Sequence, residues 1–139
     1  FFKQKTAYEI MPSLVGSEMC IRDRPSIYKD LLLFGSYDGN LYRIDIKTGN
    51  EIWRFKTGSR IFGSSPAIQD NVCYFGSSDK NMYAASLDGS EIWRFKTPDI
   101  IASTPQIFNN TLLFGSYDGN LYCLSLDGKE LWSSEQTET

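Results

Sequence analysis

The chain is 139 residues long, 41% hydrophobic and 14% aromatic, with 14 basic against 17 acidic side chains, a formal net charge of −3 and no histidine. Without histidine the sequence excludes a Ser/His/Asp or Cys/His catalytic arrangement and any histidine-ligated metal site. The acidic balance, with no clustered Lys and Arg, argues against a nucleic-acid or anionic-membrane surface.

Taken in chain order, the first segment stands apart. Lys3 to Arg24 resembles the translation of a short-read sequencing adapter. Lys3 to Glu9 match one frame of a flow-cell primer, Leu14 to Asp23 match a transposase end, and Ile10 to Ser13 lie where a sample barcode would fall. Residues 1–24 are therefore expected to be an artefact without a native fold and, like tags and fusion scars, are set aside. Met19-Cys20 could pass for the end of a lipoprotein signal, but no long apolar stretch precedes it. The natural part is expected to be residues 25–139, cut from a longer gene. It holds ten basic and fourteen acidic side chains, a net charge of −4. Its two cysteines, Cys73 and Cys123, are isolated and are expected to be small buried apolar side chains in strands.

Residues 25–139 repeat themselves. Phe34-Gly35-Ser36 recurs as Phe75-Gly76-Ser77 and Phe114-Gly115-Ser116. Each triplet is followed by a tryptophan (Trp53, Trp93, Trp132) and preceded by a proline (Pro25, Pro66, Pro105) at nearly constant spacing, so three independent markers set one register of about forty residues. The second copy reads as four short runs rich in Val, Ile, Tyr, Phe and Trp, separated by Asp70-Asn71, Asp79-Lys80-Asn81 and Asp88-Gly89. Runs of that composition between such residues predict four strands per repeat. In the first and third copies Asp38-Gly39 and Asp118-Gly119 fall between the second and third strands, where a tight hairpin turn would ask for two positive φ angles. Thr48-Gly49, Asp88-Gly89 and Asp127-Gly128 serve the next turn. Polar Arg43, Asp45 and Lys47 alternate with apolar Tyr42, Ile44 and Ile46, a period of two that rejects a helix.

A unit of four antiparallel strands is the blade of a β-propeller. The expected fold is all-β: three four-stranded blades at about residues 25–57, 65–97 and 104–135, part of a larger ring. One blade cannot bury both faces, so each needs neighbours. A tryptophan buries roughly 150 to 250 Å², worth on the order of 4 to 6 kcal/mol, and one per blade suits an anchor between blades. With both terminal faces bare, the isolated chain is expected to associate or to be poorly soluble unless the missing blades are supplied.

The stretch from Tyr42 through Lys47-Thr48-Gly49 to Trp53, with Phe34-Gly35-Ser36-Tyr37-Asp38-Gly39 before it, resembles the tryptophan-docking motif of the pyrroloquinoline-quinone (PQQ)-type β-propeller repeat family, within the quinoprotein alcohol dehydrogenase-like superfamily. Leu87-Asp88-Gly89 to Trp93 and Leu126-Asp127-Gly128 to Trp132 match it with the turn shortened to Asp-Gly. The resemblance implies an eight-bladed propeller of about 320 residues. It also implies that Trp53, Trp93 and Trp132 dock onto neighbouring turns carrying Gly49, Gly89 and Gly128. An extracytoplasmic location, periplasmic or cell-surface, follows from the resemblance alone. It does not choose a function, because the family includes quinone-dependent dehydrogenases, the propeller lipoprotein of the outer-membrane barrel-assembly machinery, and sensor domains attached to kinases.

Of these, a non-catalytic interaction or scaffold module suits the short loops best, with a protein partner, no cofactor, no nucleic acid and no membrane insertion. A fragment of a PQQ-dependent dehydrogenase would bring PQQ and calcium, but family members of that kind carry adjacent cysteines, which Cys73 and Cys123 are not. An extracellular ligand-sensing propeller of a receptor or kinase is the third reading. The links from each fourth strand to the next blade differ most between copies, and variation within a repeat can encode a specific contact. Arg60, Phe62, Asp99 and Ile100 are accordingly the candidate interaction surface. Arg54, Lys56, Arg94 and Lys96 on the outer strands are expected to protect a sheet edge, since the third copy has Ser133 and Glu135 in their place.

Overall fold

The computed structural model describes residues 26–29, 31–61 and 65–134, and every structural statement below concerns these. Residues 1–25, Phe62 and residues 135–139 lie outside them, as do the expectations attached to them. The described residues form three four-stranded antiparallel sheets, each a meander. The first holds β1 (Ser26–Tyr28), β2 (Leu31–Gly35), β3 (Asn40–Asp45) and β4 (Glu51–Lys56). The second holds β5 (Ala67–Gln69), β6 (Val72–Gly76), β7 (Asn81–Ser86) and β8 (Glu91–Lys96), and the third β9 (Gln106–Phe108), β10 (Thr111–Gly115), β11 (Leu121–Ser125) and β12 (Glu130–Ser133).

The turns explain the register. The β5–β6 hairpin closes on Asp70 and Asn71 at φ 53° and 64°, and the β9–β10 hairpin on Asn109 and Asn110 at φ 50° and 60°. Paired positive φ angles match the right-handed twist of the flanking strands, and Asn and Asp tolerate them best after glycine. The Asp-Gly pairs behave differently from the sequence expectation. Only Gly39 (φ 90°) and Gly119 (φ 91°) are left-handed there, while Asp38 and Asp118 are not. The reason is length: four residues separate β2 from β3. Gly39 N–H donates to Ser36 O at 3.0 Å, closing a turn before the chain reverses. In the second blade the same position is Lys80, held at φ 79°.

A β-bulge recurs in all three sheets. Arg43 faces Trp53 but Ile44 faces Glu51, leaving Ile52 as the extra residue. Ile92 is extra in the second sheet and Leu131 in the third. Such an insertion bends the strand and re-aims the next side chain, here the tryptophan, and turns Ile52, Ile92 and Leu131 out to water.

The cores lie between sheets. Leu33, Leu41, Phe55 and Ile61 meet Cys73, Phe75, Tyr83, Ala85 and Leu87 of the second blade. Tyr74, Met82, Ala84 and Ile101 meet Leu112, Phe114, Tyr122 and Leu124 of the third. In each junction a phenylalanine presents its edge to a stacked pair: Phe55 lies 5.6 Å from both Phe75 and Tyr83, and Phe95 lies 5.9 Å from Tyr122 and 6.4 Å from Phe114. Edge-to-face contacts of this kind add to the burial itself. Cys73 and Cys123 are buried and free, and burial pushes the Cys73 thiol up to about 12, far from a reactive thiolate.

Candidate functional site

Two regions gather the polar and aromatic groups that the fold brings together. The first is the tryptophan seat. The bulge aims Trp53 across the junction, where its indole N–H donates to Leu87 O at 3.0 Å. Trp93 does the same to Leu126 O at 3.0 Å. Each ring lies against the left-handed glycine of the receiving turn. A Cβ on Gly89 would sit 3.2 Å from the Trp53 ring, and one on Gly128 2.8 Å from the Trp93 ring. Glycine is required there twice over, for its φ and for the closeness of the ring. Trp132 is 44% exposed, and Gly49 holds the corresponding left-handed turn of the first blade at φ 78°. Arg43, legible in the sequence only as a polar member of an alternating strand, donates from Nη1 to the same Leu87 carbonyl and leaves its buried Nε without a partner. Ala84 and Cys123 stand in its place in the other blades.

The second region is the end of the blades where the β4–β5 and β8–β9 connections run beside the turns between the middle strands. Thr57 Oγ1 lies 2.8 Å from Gly39 O and 2.7 Å from Ser59 O, alternative acceptors for its one proton, and 3.0 Å from Ser77 Oγ of the next blade. Thr97 repeats the pattern with Lys80, Asp99 and Ser116. Ser78 N–H donates to Arg60 O at 2.7 Å, and Tyr117 N–H to Ile100 O at 2.9 Å. Ser77 and Ser116, the serines of the second and third Phe-Gly-Ser triplets, are thus inter-blade fasteners, while Ser36 Oγ accepts Asp38 N–H within its own blade. The glycines of the first two triplets are explained too: Ile61 lies over Gly35 and Ile101 over Gly76, where any Cβ would collide, whereas a Cβ on Gly115 would meet nothing closer than 3.9 Å. Both isoleucines are buried, and sequence reading passed over them because they sit in links without periodicity.

Each middle turn also pairs an aspartate with the tyrosine four residues on. Tyr42 Oη donates to Asp38, Tyr83 Oη to Asp79, and Tyr122 Oη to Asp118 at 2.6 Å. Burial, together with the bonded carboxylate, pushes Tyr42 and Tyr83 up to about 12. Asp79 additionally accepts Gly58 N–H across the junction at 2.9 Å. Pro98 stands at the corresponding place before the third blade and has no N–H to give. Arg54 and Arg94 lie over the rings of Tyr42 and Tyr83, both at 5.1 Å, while forming bidentate pairs with Glu51 and Glu91.

The candidate interaction residues fall in this second region but do not form one cluster. Arg60 is exposed, with its guanidinium 5.5 Å from the centre of the Tyr37 ring. Asp99 is half-buried, its Oδ1 accepting Ile100 N–H at 2.7 Å. Ile100 is half-buried and its carbonyl is tied into the junction. Arg60 and Ile100 occupy equivalent places in successive links, one at each junction. Phe62 is outside the described residues. No three His, Cys, Asp or Glu side chains come together as a metal site would need among the described residues.

Residues 18–139 match the sequence profile of the family described as outer membrane protein assembly factor BamB. Comparison with curated protein sequences returned no match. Among solved structures, BamB from Moraxella catarrhalis is similar over 75% of this chain and 33% of its own length, at 20% identity and a TM-score of 0.65. The computationally designed Ika8 protein is similar over 78% of this chain and 35% of its own, at 18% identity and a TM-score of 0.70. The quinohemoprotein alcohol dehydrogenase ADHIIG from Pseudomonas putida HK5 is similar over 78% of this chain and 19% of its own, at 17% identity and a TM-score of 0.71. The chain therefore spans about a third of BamB and a fifth of the dehydrogenase, and at these identities the likeness is one of fold. The three blades, the tryptophan-seating turns and the profile match agree: the chain belongs to the BamB-type PQQ-repeat β-propeller family.

Proposed function

We propose that this chain is part of a non-catalytic propeller that acts as a protein-interaction scaffold outside the cytoplasm, in the periplasm or on the cell surface. The observation that carries the reading is where the polar groups of the connection end go. Asp38, Asp79 and Asp118 accept from tyrosines of their own blades, and the hydroxyls of Thr57, Ser77, Thr97 and Ser116 bond to the links between blades. Groups held this way stiffen a surface and are poorly placed to move protons for a substrate. What remains turned outward along the links, Arg60 first, is suited to contact. The dehydrogenase reading has only the likeness of fold behind it.

Two measurements test this. PQQ and calcium are titrated against the chain while tryptophan fluorescence and dye-linked alcohol oxidation are followed. The expected result is no saturable change and no turnover, and PQQ-dependent turnover would contradict the scaffold reading. A photo-crosslinking residue at position 100, compared with one at position 47, should trap a discrete protein from a periplasmic extract only at position 100. Equal trapping at both positions counts against a dedicated surface.

A further inference from the structure

We propose that the β9–β10 hairpin is an acceptor for an N-linked glycan at Asn109, and that the first sugar packs on the ring of Phe108. The proposal goes beyond the scaffold reading and rests only on its extracytoplasmic part, since N-linked transfer acts on exported chains. Of the seven asparagines only Asn109 is followed two places on by Ser or Thr, in Asn109-Asn110-Thr111. That spacing, with a residue other than Pro between, marks an acceptor. So short a motif also arises by chance, and the weight of the case lies in where the fold puts it.

Asn109 and Asn110 are the two turn residues of the hairpin, at φ 50° and 60°, and both are exposed. Phe108 and Thr111 flank them and pair directly across the two strands, so their side chains leave the same face of the sheet. Acceptor, hydroxyl and aromatic ring thus share one tip. Phe108 is 64% exposed, and no large apolar side chain among the described residues is more so. An aromatic face in water beside an acceptor asparagine fits the C–H face of a pyranose. The electron-rich ring face attracts polarised C–H groups, and covering it removes apolar surface from water.

The other blades show that the hairpin itself does not require these residues. Tyr28-Lys29-Asp30-Leu31 and Gln69-Asp70-Asn71-Val72 stand at the same place and lack both the acceptor and the hydroxyl, although Lys29 and Asp70 share the positive φ of Asn109. Nor does a neighbouring blade seal the place: Gln69, the counterpart of Phe108 beside a filled junction, is only half-buried. The transfer joins the Asn109 Nδ2 to C1 of a sugar carried on a lipid pyrophosphate. The C1–O bond breaks, the lipid pyrophosphate leaves with its electron pair, and the amide nitrogen gives up one proton. The transferase reads the hydroxyl of the third residue, and in the folded hairpin Thr111 Oγ1 already donates to Phe108 O. Transfer therefore precedes closure of the hairpin, and the sugar comes to lie on the ring as the strands pair.

To test this, the full chain is translated behind a cleavable signal sequence with endoplasmic-reticulum microsomes. The product is compared on gels with and without peptide N-glycosidase and mapped by mass spectrometry. One glycan, on Asn109, is expected. Asn109→Gln and Thr111→Val should each abolish it by removing different atoms, and Asn110→Gly should keep it; none of these readings needs a folded product. The seat of the sugar is read by pulse proteolysis in urea, where the glycosylated chain should unfold at a midpoint at least about 0.2 M above that of the enzymatically deglycosylated chain. Phe108→Ala should carry the glycan and lose that shift. The acceptor is overturned if no glycan is added or if Asn109→Gln still carries one. The seat is overturned if the unsubstituted chain shows no shift or if Phe108→Ala keeps it. Because the microsomes supply the exported state and no partner takes part, failure here leaves the crosslinking result at position 100 untouched, so loss of the glycan site and loss of the scaffold reading are told apart.

Discussion

The indole N–H of Trp53 donates to the carbonyl oxygen of Leu87, 34 residues further along the chain, at 3.0 Å. This bond ties the outer strand of one blade to the last turn of the next, and Trp93 makes its equivalent to Leu126. Replacing Trp53 by Phe keeps most of the apolar surface and removes the donor. We expect a loss of about 1–3 kcal/mol of stability, read by thermal or denaturant unfolding. Trp132→Phe, at a half-exposed ring, should cost less than about 0.5 kcal/mol. Equal losses at the two sites would contradict the seating.

The glycines of the turns separate two effects. Gly119 and Gly128 are both left-handed, at φ 91° and 95°, but a Cβ would meet nothing within 4 Å at Gly119 and would lie 2.8 Å from the Trp93 ring at Gly128. Gly119→Ala should therefore carry only the backbone cost, about 1–2 kcal/mol, and Gly128→Ala at least about 1 kcal/mol more. The check is the difference in unfolding free energy between the two variants.

Asp79 and Asp118 are sequence equivalents with unequal duties. Asp79 accepts Gly58 N–H across the junction, whereas Pro98 offers Asp118 no donor. Asp79→Ala should destabilise the chain by about 1 kcal/mol more than Asp118→Ala. Substituting Gly58 by Pro should remove most of that difference.

How much of this could be read beforehand depends on which residues carry a period. Phe34, Phe75 and Phe114 with Trp53, Trp93 and Trp132 mark the three sheets and their strand order, because aromatic positions that pack one repeat on the next must recur. The turn chemistry was legible only in part. Asp38-Gly39 satisfies a dipeptide rule for two-residue hairpins, yet the loop holds four residues and only the glycine is left-handed. The true paired positive φ angles are at Asp70-Asn71 and Asn109-Asn110. The bulge at Ile52 was hidden because an extra residue inside an apolar strand changes pairing without changing composition. Arg43, Ile61 and Ile101 depend on contacts between blades, and no local pattern announces those. At the candidate surface, Arg60 stands outward, while Asp99 and Ile100 are bound partly into the junction.

Alkaline pH should loosen the blades. Tyr42 and Tyr83 are each pushed from the ordinary 10.0 to about 12 by burial and by bonding to Asp38 and Asp79. A raised value means the folded state holds its proton after the unfolded state has lost it. The stabilisation is fully present below pH 10 and declines as pH rises from about 10 to about 12. Denaturant midpoints at pH 8 and pH 11 should differ in that direction, and Tyr83→Phe should flatten part of the decline.

The most direct test of the account follows the three indole N–H groups by nuclear magnetic resonance after transfer to deuterated water. If the blades are joined as described, the Trp53 and Trp93 signals persist well after the Trp132 signal has gone, because two donors are bonded across junctions and the third ring is 44% exposed. Loss of all three signals at the same rate would mean that the tryptophans do not hold the blades together.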